Sequence, residues 1–395
     1  MNNNWKTLKL GEVATLQRGF DLPSRKRING NYPIIAASGY TEMHNEYKVK
    51  GPGVITGRSG TLGKFFYEKK DFWPLNTSLW VKSFNGNNPL FIYYFLQTLN
   101  FLEFNSGTSV PTLNRNDVHS LEVEIPPIQE QKAIASILSA LDDKIENNLA
   151  MNKTLEYMAM ALYKHWFVDF GPFKDGEFVD SKLGMIPKGW EVKTYSNITT
   201  KITDGAHYSP KTYNYGYPMA SVKDMHDWGF NLNTCRQIGE DDFTKLIAQG
   251  CQPLKDDIVI AKDGSWLKHA FVVEQDLPLV LLSSIAILRP NGDLNPHLIN
   301  LNLKLTETKG RMASIVTGAV IQRIVLKDFR KFEVIVPDKN SQEKACSKII
   351  PLIEKCWANN HENQTLTEIR NMMLPKLISG EVRLKEFEET LANVL

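Results

Sequence analysis

Two short segments place basic and hydroxyl side chains on turns that glycine permits. GRSGTLGK at Gly57–Lys64 presents Arg58, Ser59 and Lys64, and AKDGSWLK at Ala261–Lys268 presents Lys262, Ser265 and Lys268. On a turn of little steric bulk, such groups approach a phosphate or the edge of a base. An ordinary β-turn with solvated cations is the other reading of the same residues. A P-loop does not fit. GxxxxGK[ST] needs glycine at position 58 and a hydroxyl at position 65, where Arg58 and Phe65 stand.

Two further segments have recognition chemistry without catalytic chemistry. SGTSVPTLNR at Ser106–Arg115 presents Thr108, Ser109, Thr112, Asn114 and Arg115. Between Lys309 and Lys331, Lys309, Arg311, Arg323, Lys327, Arg330 and Lys331 stand against the single acid Asp328, and TGAVIQR sets Gln322 beside Arg323. Gln and Arg are the side chains that pair bidentately with adenine and guanine edges. Plain polar surface is the alternative. The eight histidines form no HExxH, HxH or Cys/His cluster, so no metal ligand set is implied. No GxSxG, no donor-binding glycine motif and no Asn-Pro-Pro-aromatic tetrapeptide occurs, and nothing assembles into an active site.

The rest of the chain must position these groups. Its 395 residues suggest two or three domains, and 42% hydrophobic with 23% charged residues excludes a largely disordered chain. The longest apolar stretch, Leu277–Leu288, is too short to span a bilayer and holds Pro278. The start has no apolar signal region, and four cysteines without a CxxC read as reduced thiols, so a cytoplasmic, non-membrane protein is expected. Net charge is only +2, but it alternates along the chain. Blocks 1–125, 126–186, 187–340 and 341–395 carry +4, −3, +2 and −1, as expected if the first and third blocks face a polyanion.

The chain also repeats itself. RNDVHSLEVEIPP, ending at Pro127, matches LKDFRKFEVIVPD, ending at Asp338. QEQKAIASIL matches SQEKACSKII, and the two turns match each other. Within each copy, short β-branched and aromatic runs read as strands joined by turns, and a long helix follows. Ile134, Leu138, Leu141, Ile145, Asn148, Asn152, Leu155, Ala159, Leu162 and Trp166 form a 4,3,4,3 seam. In the second copy the seam runs through Cys346, Ile350, Ile353, Trp357, Asn360 and Gln364, then one residue out of step through Leu366, Ile369, Met373 and Leu377. Breaks are expected at Pro351 and Pro375. The polar midpoints Asn148, Asn152, Asn360 and Gln364 either meet amide to amide and fix register in an antiparallel pair, or mark a solvated helix centre.

The expected fold is α+β: two mixed α/β recognition domains, each followed by a long helix, with the helices packed as an antiparallel coiled coil. The expected boundaries are 1–125 for the first recognition domain, 126–170 for its helix and 171–186 for a linker. They continue with 187–336 for the second domain, 337–380 for its helix and 381–395 for a tail.

With IPPIQEQKAIASILSALDDKIENN from Ile125, HWFVDFGPF from His165, GMIPKGWEVK from Gly184 and LPKLISGEV from Leu374, the chain resembles the specificity subunits of type I restriction-modification enzymes. The resemblance covers essentially the whole chain. It implies a non-catalytic subunit that reads a bipartite double-stranded DNA target, one domain per half-site. It also implies two methyltransferase subunits and, for cleavage, two motor-nuclease subunits as partners. S-adenosylmethionine, ATP and magnesium would then belong to those partners, with no cofactor on this chain. The departure from the pattern is VPDKNSQEKA, which replaces the Pro-Pro-Ile-Gln-Glu-Gln run in the second copy. The alternative is a recognition protein fused to its own methyltransferase or nuclease activity, against which the missing catalytic motifs count.

If the two helices act as a ruler, four residues inserted after Leu149 lengthen the first by about 6 Å and turn it by about 400°, nearly preserving the seam's direction. The spacer between methylated half-sites should grow by one or two base pairs. Two inserted residues turn the seam by about 200° and should abolish assembly. Mapping methylated positions in cells carrying the complete system reads both outcomes.

Overall fold

The computed structural model describes residues 4–105, 110–318 and 320–382. They divide into two compact units at Glu146/Asn147 and at Glu362/Asn363. The first unit is built from two separate stretches of chain, and the second is the continuous segment Asn147–Glu362. The divisions fall inside the long helices rather than at their ends, because each helix contributes packing residues to both cores.

In the first unit a four-stranded sheet runs in the order Thr15–Arg18, Ser78–Ser83, Gly53–Gly57, Phe65–Glu68. A three-stranded sheet joins Gly39–His44 to Tyr32–Ala36 antiparallel and Trp73–Pro74 to Tyr32–Ala36 parallel. Lys6–Lys9 pairs antiparallel with Glu122–Ile125 just before the central helix. The second unit repeats each of these pairings. Thr199–Asp204, Ile285–Pro290, Ile258–Ala261 and Ala270–Val272 form its four-stranded sheet. Arg236–Ile238, Tyr217–Ala220 and Val280–Leu281 form the three-stranded one, and Glu191–Thr194 pairs with Glu333–Val336.

Burial in the strands follows side-chain alternation. Ile258–Ala261 is buried at all four positions. Ile258 and Ile260 join the core shared with the long helices, whereas Val259 and Ala261 pack with Phe230 and Phe271. A run of four apolar residues is what a sheet covered on both faces requires.

Each unit also has a helix opened by Asn-Pro: Pro89–Gln97 and Pro296–Lys304. Proline at the first helical position lacks only a donor that would be orphaned anyway, and the Asn side chain accepts a backbone N–H. Asn88 accepts from Phe91 and Asn295 from His297, each at 2.9 Å. A buried glutamine then ties this cap to the start of the long helix. The backbone N–H of Asn88 donates to Gln131 Oε1 at 2.9 Å, while Gln131 Nε2 donates to Pro126 O at 2.9 Å and Asn87 Oδ1 at 2.7 Å. Gln342 repeats the clamp. Its Oε1 accepts from Asn295 N–H at 3.1 Å, and its Nε2 donates to Pro337 O at 2.8 Å and Asp293 O at 2.9 Å. The altered sequence VPDKNSQEKA therefore keeps the clamp, with the glutamine at an offset of 211.

The long helices are Ile128–Phe167 and Lys339–Ser379. In the first unit Ile134 and Leu138 share a core with Met373 and Leu377, and Arg370 Nη1 donates to Asp142 Oδ1 at 2.6 Å. In the second, Ala159 and Trp166 share a core with Ile353, Ile349 and Ala345. The helices run antiparallel within each unit. Every seam position expected in the first helix is buried or half-buried.

Two expectations for the second helix are corrected. It continues through Pro351 and Pro375, because both residues face solvent, where the carbonyl each proline leaves unpaired is open to water. The polar seam residues are Asn359 and Asn363, both buried, one position before the expected Asn360 and Gln364. Gln364 is exposed, and Asn360 Nδ2 donates to its own helix at Cys356 O, 3.0 Å away. Neighbouring apolar pairs Ile349-Ile350 and Cys356-Trp357 left the phase ambiguous by one residue, and Ile349 and Cys356 take the centre. The amides do meet. Asn359 Nδ2 donates to Asn152 Oδ1 at 2.8 Å, Asn152 Nδ2 to Cys356 O at 3.2 Å, and Asn148 Nδ2 to Glu362 Oε2 at 2.8 Å.

Replacing Gln131 or Gln342 by alanine removes three hydrogen bonds at once, one from a part-buried N–H and two to acceptors beside it. Each substitution should lower the unfolding free energy by about 2–3 kcal/mol, read as a reduced urea midpoint at unchanged slope.

Candidate nucleic-acid interface

The turn and the loop singled out in each copy come together in both units. In the first, the N–H groups of Arg58 and Ser59 donate to Thr77 O at 2.8 and 3.1 Å. Gly60 N–H then donates to Pro111 O at 2.9 Å, Leu113 N–H donates to Arg58 O at 2.8 Å, and Ser59 bridges Thr112. In the second, Lys262 and Asp263 donate to Ser284 O at 2.9 and 3.2 Å. Gly264 N–H donates to Gln322 O at 2.7 Å, Ile324 N–H donates to Lys262 O at 3.0 Å, and Asp263 bridges Arg323.

The turn backbone is repeated too. Gly60 and Gly264 take φ of 91° and 75°, and Gly63 with φ 75° is matched by Leu267 with φ 51°. A leucine in the left-handed region is strained. Leu267 is held there by burying its side chain in the core.

The side chains on this shared frame differ. Lys64, Arg115, Ser265, Lys268, Gln322 and Arg323 are exposed, and Arg58, Ser59 and Thr112 are half-buried. Arg58 Nε donates to Asn76 O at 3.0 Å, which holds the guanidinium against the turn. Trp266 Nε1 donates to Gln322 Oε1 at 3.1 Å, fixing the orientation of that amide. Thr108 and Ser109 lie outside the described residues.

Lys262 is a correction. It is 7% exposed, with Nζ 3.0 Å from Asp204 and 3.4 Å from Asp263, so it is a compensated internal charge rather than a free cation for phosphate. Asp204 lies 58 residues before it in sequence, beyond any local charge pattern.

Sequence reasoning missed part of the first unit's surface. Thr15–Asp21, Lys82, Arg115, Asn116 and His119 line an open groove of about 710 Å³. Arg18, Lys82 and Arg115 supply cations there, with Arg18 3.6 Å from Asp21. Burial and then the charge of Arg115 hold the His119 pKa below its ordinary value. The neutral ring accepts Leu16 N–H at Nε2, 2.8 Å away. The only signal for this groove was Gln17-Arg18-Gly19 at the end of a short strand, too brief to single out.

A protein-family model for the type I restriction modification DNA specificity domain matches twice, over residues 2–157 and 187–369. The chain belongs to the type I restriction-modification specificity family. A specificity subunit named for the type I restriction enzyme MjaIX of Methanocaldococcus jannaschii is 30% identical over 75% of this chain and 69% of its own length. The HindI specificity subunit of Haemophilus influenzae is 24% identical over 96% of this chain and all of its own. The crystal structure of a type I restriction-modification S subunit from M. genitalium has the same fold, with a TM-score of 0.59 at 18% identity, over 95% of this chain and 96% of that one. The two family matches coincide with the two copies of the turn-and-loop frame. Among the described residues no three His, Cys, Asp or Glu side chains gather as a metal site, and no helix is long and apolar enough to cross a membrane.

Lys262→Ala should destabilise the second unit by about 2 kcal/mol, less than a fully buried pair would because Asp204 and Asp263 keep some exposure to water. It should leave the salt dependence of DNA binding unchanged. Alanine at Arg58, Lys64, Lys268 or Arg323 should do the reverse. If the residue is a phosphate contact, its loss should lower the salt slope by about one, and if it is a base contact, its loss should relax specificity at one position. Titrations at several salt concentrations, with urea melts, separate the two classes.

Proposed function

We propose that this chain is the DNA-reading subunit of a type I restriction-modification complex, acting in the cytoplasm on an asymmetric bipartite target with one unit per half-site. The observation that carries this reading is one backbone frame present twice with different side chains on it. Arg58, Ser59, Lys64, Thr112 and Arg115 stand on the first, and Ser265, Trp266, Lys268, Gln322 and Arg323 on the second. A shared frame presents its groups to DNA in the same way, and different groups then select different bases.

The chain itself is non-catalytic and holds no cofactor. It scaffolds two methyltransferase subunits, and two motor-nuclease subunits join for cleavage. S-adenosylmethionine, ATP and magnesium are bound by those partners. The basic surplus of the two recognition blocks supports contact with a polyanion, and the helix pair supports a scaffolding role.

Exchanging residues 187–336 for the matching segment of another specificity subunit tests this. With methyltransferase subunits added, the methylated sequence should change in one half-site only, and the exchanged chain alone should methylate nothing. A change in both half-sites, or methylation without partners, overturns the reading.

A further inference from the structure

The duplication supplies an internal control for one cavity in the second unit. Where the helix Pro296–Lys304 packs against the two long helices, a cavity of about 200 Å³ opens, with walls that include Ala159, Phe271, Leu301, Ile353 and Trp357. The Gln131/Gln342 clamp aligns the long helices at an offset of 211, and the Asn88/Asn295 caps align the short helices at 207. By these offsets Leu90, Tyr93, Tyr94, Asp142 and Arg370 correspond to His297, Asn300, Leu301, Ile353 and Ala159.

In the first unit this place is filled. Tyr94 donates its hydroxyl to Asp142 Oδ2 at 2.6 Å, Arg370 Nη1 closes on Asp142 Oδ1 at 2.6 Å, and the Tyr93 ring lies 5.0 Å from that of Tyr94. In the second unit every member of that plug is shorter or apolar, and the space stands open. Two polar side chains have replaced Leu90 and Tyr93. His297 and Asn300 are each 8% exposed and line the cavity, and His297 Nδ1 and Asn300 Oδ1 have no hydrogen-bond partner among the described residues.

A void left by truncation alone would be lined by apolar groups. Two buried polar atoms without partners cost stability, which a ligand's donor and acceptor would recover. Burial pushes the His297 pKa below its ordinary value, so the ring is neutral and offers no charge to a ligand. At the rim, Lys304 Nζ is 3.2 Å from Glu156 and 5.4 Å from the Trp228 ring centroid, and Asp227 adds a second carboxylate. This rim favours no anion. Trp228, Phe271 and Trp357 supply flat apolar faces, and the Trp357 ring lies 5.4 Å from that of His297.

We propose that this cavity is a binding site for a small, uncharged, planar heteroaromatic of about two rings, with a hydrogen-bond donor and acceptor on one edge for Asn300 and His297. Its size admits a bicyclic ring and excludes a nucleotide's sugar and phosphate, and its rim disfavours the phosphate. The ligand inserts between the ring faces, and its polar edge completes the two unpartnered side chains.

The full-length chain should be titrated with adenine, benzimidazole, naphthalene and deoxyadenosine monophosphate, reading the fluorescence of its tryptophans. Adenine or benzimidazole should bind saturably, at least tenfold more tightly than naphthalene or the nucleotide. His297→Leu restores the first unit's residue, and Asn300→Leu removes the other polar group. Each should weaken that binding at least tenfold while the melting temperature holds or rises. Asn300→Tyr, which restores the Tyr93 ring of the plug and fills the cavity, should abolish binding. Equal binding of naphthalene, equal binding of the nucleotide, unchanged affinity in both leucine variants, or no saturable binding of either heterocycle would each overturn the proposal.

Discussion

Neither recognition fold closes its own core. The layer of Phe91, Phe95 and Val118 in the first unit is completed by Leu138 from the central helix and by Met373 and Leu377 from the C-terminal one. The layer of Ile299, Leu301 and Phe329 in the second is completed by Tyr163 and Phe167 from one helix and Ile349 and Ile353 from the other. Burial of apolar area is the main force available to a fold of this size. The helix pair is therefore structural tissue for both units, and the exposed turns are held by a frame whose rigidity comes from it.

Polar groups supply the uniqueness that apolar packing lacks. A seam of Ile, Leu and Ala slides with little penalty, whereas the hydrogen bonds of Asn152 with Asn359 and Cys356, and of Asn148 with Glu362, are satisfied in one register. The buried glutamines do the same at the start of each long helix, tying it to the cap of the short helix beside it. In the second unit Arg289 adds a bidentate pair to Asp257, with Nε 2.8 Å and Nη2 2.7 Å from its oxygens, tying together the ends of the two central strands of the main sheet.

How much of this was legible in the sequence depended on whether its cause was local. The duplicated turns were readable because Gly60 and Gly264 mark a backbone few other residues adopt, and the long helices because the apolar spacing persists for about ten turns. The pairing of turn with loop was not expected, since the hydrogen bonds joining residues 60 and 111 leave no spacing signal. Lys262 read as a surface cation because its partner Asp204 is distant in sequence. Asn359 was missed by one position because two adjacent apolar residues on each turn fit either phase. Gln131 and Gln342 recur at matching places, a signal present in the repeat but hidden by a one-residue shift of the alignment.

The assignment of chain segments to units fixes an order of assembly. The second unit is one unbroken stretch, so all of its residues are available once residue 362 has been synthesised. The first unit begins earlier but waits for its last layer, since Arg370 reaches back 228 positions to Asp142 and Met373, Leu377 and Ile378 come later still. During translation the usual N-terminal-first sequence is thus reversed. The earlier-made unit carries an uncovered apolar face until the last turns of the C-terminal helix, which belong to it alone, are in place.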